Sequence, residues 1–182
     1  MAFFEDKAPW FMEQLIKDFD LEVLDAAAII GNAGHESGGF KSLQEIKPVV
    51  PGSRGGFGIM QWTGPRRRQY EAFCKSGGLN PSAMESNYEF LKYELSETPE
   101  KKALVEIRKQ KTLDSKTESF MRTFLRPGVP HLQSRKDWAL RALHAYEKAT
   151  PAPKTPDQKP VVQEKTLLER IVEILVKLFG RT

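Results

Sequence analysis

Apolar residues recur at helical spacing along most of the first 149 residues. After Pro9, the large apolar side chains of residues 10–19 fall three or four positions apart, which predicts an amphipathic helix. Asp20 is placed to cap a second helix that continues through Gly34 or slightly beyond, and residues 25–33 of this helix are almost free of charge. A helix made of small, uncharged residues is expected to be central and closely packed.

Glycine and proline residues divide the rest of the pattern. Gly38 and Gly39 are expected to end the second helix, and the prolines and glycines of residues 47–58 predict an irregular segment or a short β-hairpin. Further helices are expected at five places, several of them opened by a capping residue beside a proline: residues 64–75, 81–97, 99–111, 113–125 and 133–149. The predicted fold is therefore mainly α, of an α+β kind, with one glycine-rich loop or hairpin.

The last 33 residues follow a different pattern. Residues 150–165 contain four prolines and are predicted to form an extended linker. Residues 166–182 carry an apolar stripe at helical spacing, which predicts an amphipathic helix that is too short and too charged to span a bilayer. Three roles stay open for this helix: packing on the domain, forming a homo-oligomer, or lying on an anionic membrane.

Composition and charge narrow the function classes. Apolar residues make up 40% of the chain and charged residues 29%, which excludes a wholly disordered protein. The single cysteine, Cys74, excludes an internal disulfide, and we expect neither a metal site nor a cofactor. The net charge of +4 is divided evenly between residues 1–149 and the tail, and the arginines of residues 66–68 lack interleaved aromatic residues. We therefore expect no nucleic-acid partner.

The N-terminal residues indicate where the chain is made. Glu5, Asp6 and Lys7 follow the first apolar residues almost at once, which is not the pattern of a secretory signal peptide. No apolar stretch reaches the roughly 18 residues of a membrane-spanning helix. We expect synthesis in the cytoplasm.

Glu36 is the first candidate for catalysis. It ends the almost uncharged second helix, where a carboxylate is costly unless it is protonated or compensated by another charge. The partial negative charge of the helix C-terminus also disfavours the ionised form. A carboxyl group that keeps its proton near neutral pH is suited to general-acid catalysis. A glutamate that simply points into solvent is the alternative.

Two motifs favour the catalytic interpretation. Glu36 begins the run ESGGF, and the run GIMQWT begins 22 residues later at Gly58, with an arginine after it and Y-E-L at residues 93–95. The paired motifs resemble the lysozyme-like superfamily of goose-type lysozymes and soluble lytic transglycosylases. The fuller pattern is similar to the phage tail lysozyme family, and the resemblance covers residues 8–149.

The resemblance implies a lysozyme-like catalytic domain over residues 1–149 and a muralytic enzyme such as a phage endolysin. Glu36 is then the catalytic acid that cleaves the β-1,4 bond between N-acetylmuramic acid and N-acetylglucosamine. Bacterial peptidoglycan is the implied partner, reached in the periplasm after synthesis in the host cytoplasm or through delivery by the virion. The alternatives are a lytic transglycosylase and a non-catalytic virion or wall-binding protein.

Four further residues around the glycine-rich segment are candidates. Glu45 is the only acidic residue between Glu36 and Gln61, and a two-acid glycosidase needs a second carboxylate. If Glu45 has no such role, a single acid remains, as in lytic transglycosylases. Gly58 would let a polysaccharide approach the backbone. Gln61 and Thr63 would bind substrate or water, with a surface amide and a helix cap as their alternative roles.

Two neighbouring residues are assigned to the fold instead. Trp62 is expected in the core beneath the site rather than as a platform for sugar stacking. His35 is expected to pack or cap, because successive helix positions diverge by about 100° and so turn its ring away from Glu36.

Overall fold

Helices make up most of the part of the chain that the structure, a computed structural model, describes: residues 3–45, 48, 50 and 52–150. Seven α-helices are found in these ranges: α1 (Phe3–Phe19), α2 (Val23–Glu36), α3 (Gly64–Ser76), α4 (Met84–Glu97), α5 (Lys102–Arg108), α6 (Leu113–Phe120) and α7 (Leu132–Ala149). A 3-10 turn, Pro99–Lys101, precedes α5, and a π-helical turn, Met121–Leu125, follows α6. The predicted mainly helical fold is confirmed.

The central helix is α2, as its composition predicts. All ten residues from Asp25 to Gly34 are buried, and α7, α6 and α1 pack around them. Gly31 permits the closest approach, because a Cβ atom there would lie 2.4 Å from the backbone N and Cα atoms of Ala139 in α7. Small residues in α2 therefore set the distance between α2 and α7.

Buried polar contacts fix α2 against α6. Lys116 Nζ lies 2.6 Å from Asp25 Oδ1, and both side chains are only 2% exposed. The amide nitrogen of Asn32 donates to the Thr117 carbonyl at 3.0 Å. A shift of α2 along α6 would separate the buried ion pair and leave two uncompensated charges, which is costly. These contacts therefore hold the two helices in one register.

The first helix begins earlier than the sequence predicts. We expect a helix after Pro9, but α1 starts at Phe3 and contains Pro9. The buried ring of Phe4 packs against Phe40 and Trp138, at centroid distances of 4.9 and 4.7 Å. This contact anchors the first turn of α1, although Pro9 has no N–H with which to bond back to it.

The predicted cap of α2 is wrong. Asp20 adopts a left-handed backbone with φ of 51° and lies between the helices. Glu22 precedes α2 instead, and its N–H donates to the Asp25 carboxylate at 3.1 Å. A side chain inside the first turn therefore fixes the beginning of the helix.

Three of the later helices, α4, α5 and α6, are shorter than predicted. The Asn80 side chain accepts a hydrogen bond from the Ser82 N–H at 3.0 Å, and after this turn α4 begins only at Met84. Thr98 does cap the following turn, as predicted, by accepting a backbone N–H. The predicted helix at residues 113–125 divides into α6 and the π-helical turn.

The glycine-rich segment is a loop. Among the described residues it contains isolated bridges that join Gln44 with Phe57 and Phe57 with Trp62, and no β-strand. The hairpin alternative, and with it the β part of the predicted α+β class, is therefore not found in the described part of the chain. Side-chain hydrogen bonds, described below, hold this segment in place of a strand ladder.

The C-terminal predictions cannot be compared with the fold. Almost all of the predicted linker, residues 150–165, and the whole predicted amphipathic helix, residues 166–182, lie outside the described residues. Thr150 is described, and its N–H donates to the Tyr146 carbonyl at the end of α7. Within the described ranges, no helix has the length and apolar character needed to cross a membrane.

The close approach of α2 and α7 gives a stability prediction. Gly31→Ala should lower the free energy of unfolding by about 1–3 kcal/mol because the new methyl group overlaps the α7 backbone. This loss is expected although alanine is the better helix former by about 1 kcal/mol. Urea denaturation measures the change.

Gly128→Ala is the matched control. No atom lies within 4 Å of the position of its Cβ, and its backbone is not left-handed. We expect its stability to stay within about 0.5 kcal/mol of the wild type. Equal stabilities of the two variants would show that α2 and α7 are not in close contact at Gly31.

Candidate active site

The carboxylate of Glu36 is held at the end of α2 by a buried arginine. Arg135 Nη2 donates to Glu36 Oε1 at 2.7 Å, and the side chain of Arg135 is 2% exposed while that of Glu36 is 19% exposed. Of the two possibilities that the sequence allows, a protonated or a compensated carboxylate, the structure provides compensation. Glu36 is therefore fixed in position and still reaches the surface.

Arg135 is itself oriented by contacts in three directions. Besides Glu36, its guanidinium donates to Asn32 Oδ1 at 3.2 Å and to the Pro130 carbonyl at 2.8 Å. Sequence reasoning missed Arg135 because it lies 99 positions after Glu36. The only signal was physical: a carboxylate at the end of an apolar helix needs a cation, and the sequence does not say which one.

A histidine beside Glu36 packs on α7. His35 Nδ1 lies 2.9 Å from Ser134 Oγ, and its ring centroid is 5.5 Å from that of His131. Burial lowers the pKa of His35 to about 4, and the charge of Arg135 and the nearby His131 act in the same direction. His35 is therefore uncharged near neutral pH and packs on α7, as the sequence predicts.

The turn after Glu36 is tightly bonded. Buried Ser37 donates through its hydroxyl to the Ala33 carbonyl at 2.7 Å and accepts the Phe40 N–H at 2.9 Å. The Ser42 N–H bonds to the Ser37 carbonyl at 3.0 Å. Gly38 and Gly39 have positive φ angles and end the helix as predicted. This turn fixes the path from the acid to the glycine-rich loop.

The predicted substrate-binding residue Gln61 joins the loop to that turn. Its amide nitrogen donates to the carbonyls of Ser42, Leu43 and Gly58 at 3.2, 3.1 and 2.9 Å. These bonds accompany a left-handed backbone at Gln61, with φ of 48°. Its amide donors are therefore engaged within the fold.

The backbone and the packing at Gly58 require a glycine, and its predicted role in admitting a polysaccharide stays a prediction. Its φ is 83°, and a Cβ atom would lie 2.4 Å from the ring of Trp62. Trp62 is 1% exposed, which confirms its predicted place in the core. The packing of Trp62 thus accounts for the glycine without any approach of a polysaccharide.

The second predicted acid, Glu45, contacts the same loop. Glu45 Oε2 accepts the N–H of Gly56 at 2.7 Å, and the Glu45 N–H donates to the Gly56 carbonyl at 2.9 Å. Thr63, the remaining candidate, precedes α3 with an exposed side chain that makes no capping hydrogen bond. Glu45 therefore holds the loop, whereas the Thr63 hydroxyl faces outward.

Trp62 also takes part in a buried polar cluster. Its indole N–H donates to Glu94 Oε2 at 2.6 Å, and Arg66 binds both oxygens of the same carboxylate at 2.7 and 2.8 Å. Arg66 Nη1 continues to the Phe124 carbonyl at 3.1 Å. The arginine after the GIMQWT motif thus pairs with the glutamate of the Y-E-L motif.

Arg67 supports the loop from the other side. It donates to the carbonyls of Arg54 and Gly55 and, at 3.0 Å, to Gln44 Oε1. Two of the three arginines at residues 66–68 are therefore engaged inside the fold. Within the described ranges, no group of three or more His, Cys, Asp or Glu residues could hold a metal ion.

These features define the class of site: a partly exposed glutamate at the end of a buried helix, paired with arginine and followed by a braced glycine-rich loop. The profile of the phage tail lysozyme family matches residues 10–146, and the chain belongs to this family. Membership supports a lysozyme-like, peptidoglycan-degrading function, as a hydrolase or a lytic transglycosylase. No curated protein and no solved structure matches the chain.

His35 gives a prediction of pH dependence. Its pKa is about 4 in the folded state and about 6.5 when unfolded, so between these values the unfolded chain binds a proton that the folded chain does not. The free energy of unfolding should therefore rise with pH across this window. His35→Gln should reduce the rise, as measured by urea denaturation at about pH 4.5 and about pH 6.5.

The exposed histidine of α7, His144, supplies the control. The groups that face His35 are His131, which precedes α7, and Ser134 and Arg135 of α7. These stay in place in His144→Gln. This control should keep the wild-type dependence on pH. If His35→Gln also keeps the wild-type dependence on pH, the assignment of His35 as uncharged and packed is wrong.

Proposed function

We propose that the protein is a muralytic enzyme that cleaves the β-1,4 bond between N-acetylmuramic acid and N-acetylglucosamine, with Glu36 as the general acid. The observation that carries the proposal is the partly exposed Glu36 carboxylate bound to buried Arg135. Membership in the phage tail lysozyme family supports peptidoglycan as the substrate.

The acid step uses both members of the pair. The step requires Glu36 to take up a proton although Arg135 compensates its carboxylate. Glu36 then donates this proton to the glycosidic oxygen while the bond from that oxygen to the anomeric carbon breaks. The carboxylate that remains is stabilised by the Arg135 guanidinium at 2.7 Å. Because Arg135 is also bound to Asn32 and Pro130, it needs no rearrangement when the charge develops.

The fate of the sugar cation separates two candidate reactions. In a hydrolase, water attacks the anomeric carbon. In a lytic transglycosylase, the C6 hydroxyl of the same sugar attacks the anomeric carbon, closes a 1,6-anhydro ring and passes its proton to the Glu36 carboxylate. We favour the second candidate, because the Gly56 N–H donates to Glu45 Oε2 and gives Glu45 a role in holding the loop, which leaves Glu36 as the proposed acting carboxylate.

The proposed extent of the enzyme follows the sequence. We propose residues 1–149 as the catalytic domain, residues 150–165 as a linker and residues 166–182 as an amphipathic helix that contacts an anionic membrane or a second copy of the chain. The enzyme acts at the cell wall, as an endolysin made in the host cytoplasm or as a virion component.

Deletion of residues 150–182 should spare activity on isolated peptidoglycan and reduce action on intact cells.

Glu36→Gln tests the general acid. The amide keeps the size of the side chain and accepts a hydrogen bond from Arg135, but it cannot donate the proton that the leaving oxygen requires. Release of soluble muropeptides from purified peptidoglycan should fall at least about a hundredfold, with an unchanged circular dichroism spectrum.

Glu13→Gln, an exposed change on α1, is the control and should keep wild-type activity. Full activity of Glu36→Gln would contradict the assignment of the acid. Binding of peptidoglycan by the wild type without any release of muropeptides would favour a non-catalytic wall-binding protein.

Glu45→Gln tests the second carboxylate. Glutamine keeps an oxygen that can accept the Gly56 N–H, so activity should stay within about tenfold of the wild type if Glu45 only holds the loop. A loss as large as that of Glu36→Gln would instead make Glu45 a catalytic group.

Mass spectrometry of the wild-type products should show 1,6-anhydro ends, whereas free reducing ends would indicate hydrolysis.

A further inference from the structure

His131 stands at the beginning of α7 for a reason other than helix capping. Its backbone is left-handed, with φ of 45° and ψ of 42°, and its side chain makes no hydrogen bond to the first turn of the helix. Short polar side chains cap helices best, and an imidazole gains nothing from this position. Within the described residues, the exposed ring of His131 has no hydrogen-bond partner.

The ring of His131 lies beside the ring of His35, the residue that precedes Glu36 in the chain. His131 and Arg135 are four residues apart and contact consecutive residues at the end of α2. Arg135 binds Glu36, while the His131 ring lies 5.5 Å from the ring of His35, tilted by 35°. An exposed imidazole is thereby brought to the partly exposed carboxylate end of α2.

The segment that carries His131 is fixed at both ends. Arg126, also left-handed with φ of 54°, forms two hydrogen bonds to the Glu100 carboxylate at 2.7 and 2.8 Å. At the other end, the Pro130 carbonyl accepts from Arg135 Nε at 2.8 Å. One guanidinium thus binds both Glu36 and the backbone carbonyl that precedes His131.

We propose that His131 is a substrate-binding residue of the Glu36 site, whose imidazole donates a hydrogen bond to an oxygen of the N-acetylated glycan bound there. The proposal rests on the proposed function. His35 cannot serve in this way through its Nδ1, because Ser134 Oγ already engages that atom. His131, directly before α7, contacts the glycan, and Glu36, at the end of α2, supplies the proton.

The test compares two variants of His131 with a control that has the same backbone geometry. His131→Gly removes the imidazole and relieves the left-handed backbone, and His131→Gln restores an N–H donor. Asp20→Gly changes an exposed residue with φ of 51° between α1 and α2, far along the chain from the site. Each is measured for Tm, for kcat and KM with peptidoglycan, and, in the Glu36→Gln background, for affinity toward a soluble disaccharide-peptide fragment of peptidoglycan.

His131→Gly should keep or raise Tm while KM and the fragment Kd rise about three- to tenfold, the range for one hydrogen bond, with little change in kcat. His131→Gln should regain most of the affinity, and Asp20→Gly should match the wild type in binding. Affinity of His131→Gly within twofold of the wild type would overturn the proposal. A lowered Tm together with no recovery in His131→Gln would assign a structural role and overturn it as well.

The fragment assay separates this proposal from the one on which it rests. If wild-type protein releases no muropeptides, or if Glu36→Gln stays active, the proposed function fails whatever His131 does. If Glu36→Gln is inactive and still binds the fragment, the effect of His131 on affinity decides the present proposal alone.

Discussion

The site depends on the hydrogen bonds of the buried Arg135 guanidinium. This guanidinium is bound to a carboxylate, an amide oxygen and a backbone carbonyl, which belong to two parts of α2 and to the segment before α7. A buried charge without partners is costly, so this group holds all three in place at once. The position of Glu36, the end of α2 and the beginning of α7 are therefore a single structural unit.

Two further arginines, Arg66 and Arg67, hold the glycine-rich loop in place. Arg66 links α3 to Glu94 and thereby to Trp62, while Arg67 binds backbone carbonyls that no strand partner satisfies. The hydrogen bonds of these arginine side chains take the place of the backbone hydrogen bonds that a β-hairpin would have provided. Two of the three arginines of the basic run at residues 66–68 are thus engaged in contacts within the fold.

Local signals predicted the fold well, and pairings between distant segments could not be predicted. The uncharged α2, its glycine end and buried Trp62 follow from periodicity and composition, which act within a few residues. Arg135 and Glu94 emerge only once helices pack, because nothing near Glu36 or Arg66 in the sequence marks its partner. The contact of Gly58 with Trp62 could not be predicted either, since it depends on the φ of the loop.

The contact of Gly31 with Ala139 affects the site although neither residue belongs to it. Ala139 lies one turn after Arg135, and Glu36 lies five residues after Gly31, so the register of carboxylate and guanidinium is set inside the helix pair. A change in the spacing of α2 and α7 at Gly31 would therefore move Arg135 relative to Glu36 without altering either side chain.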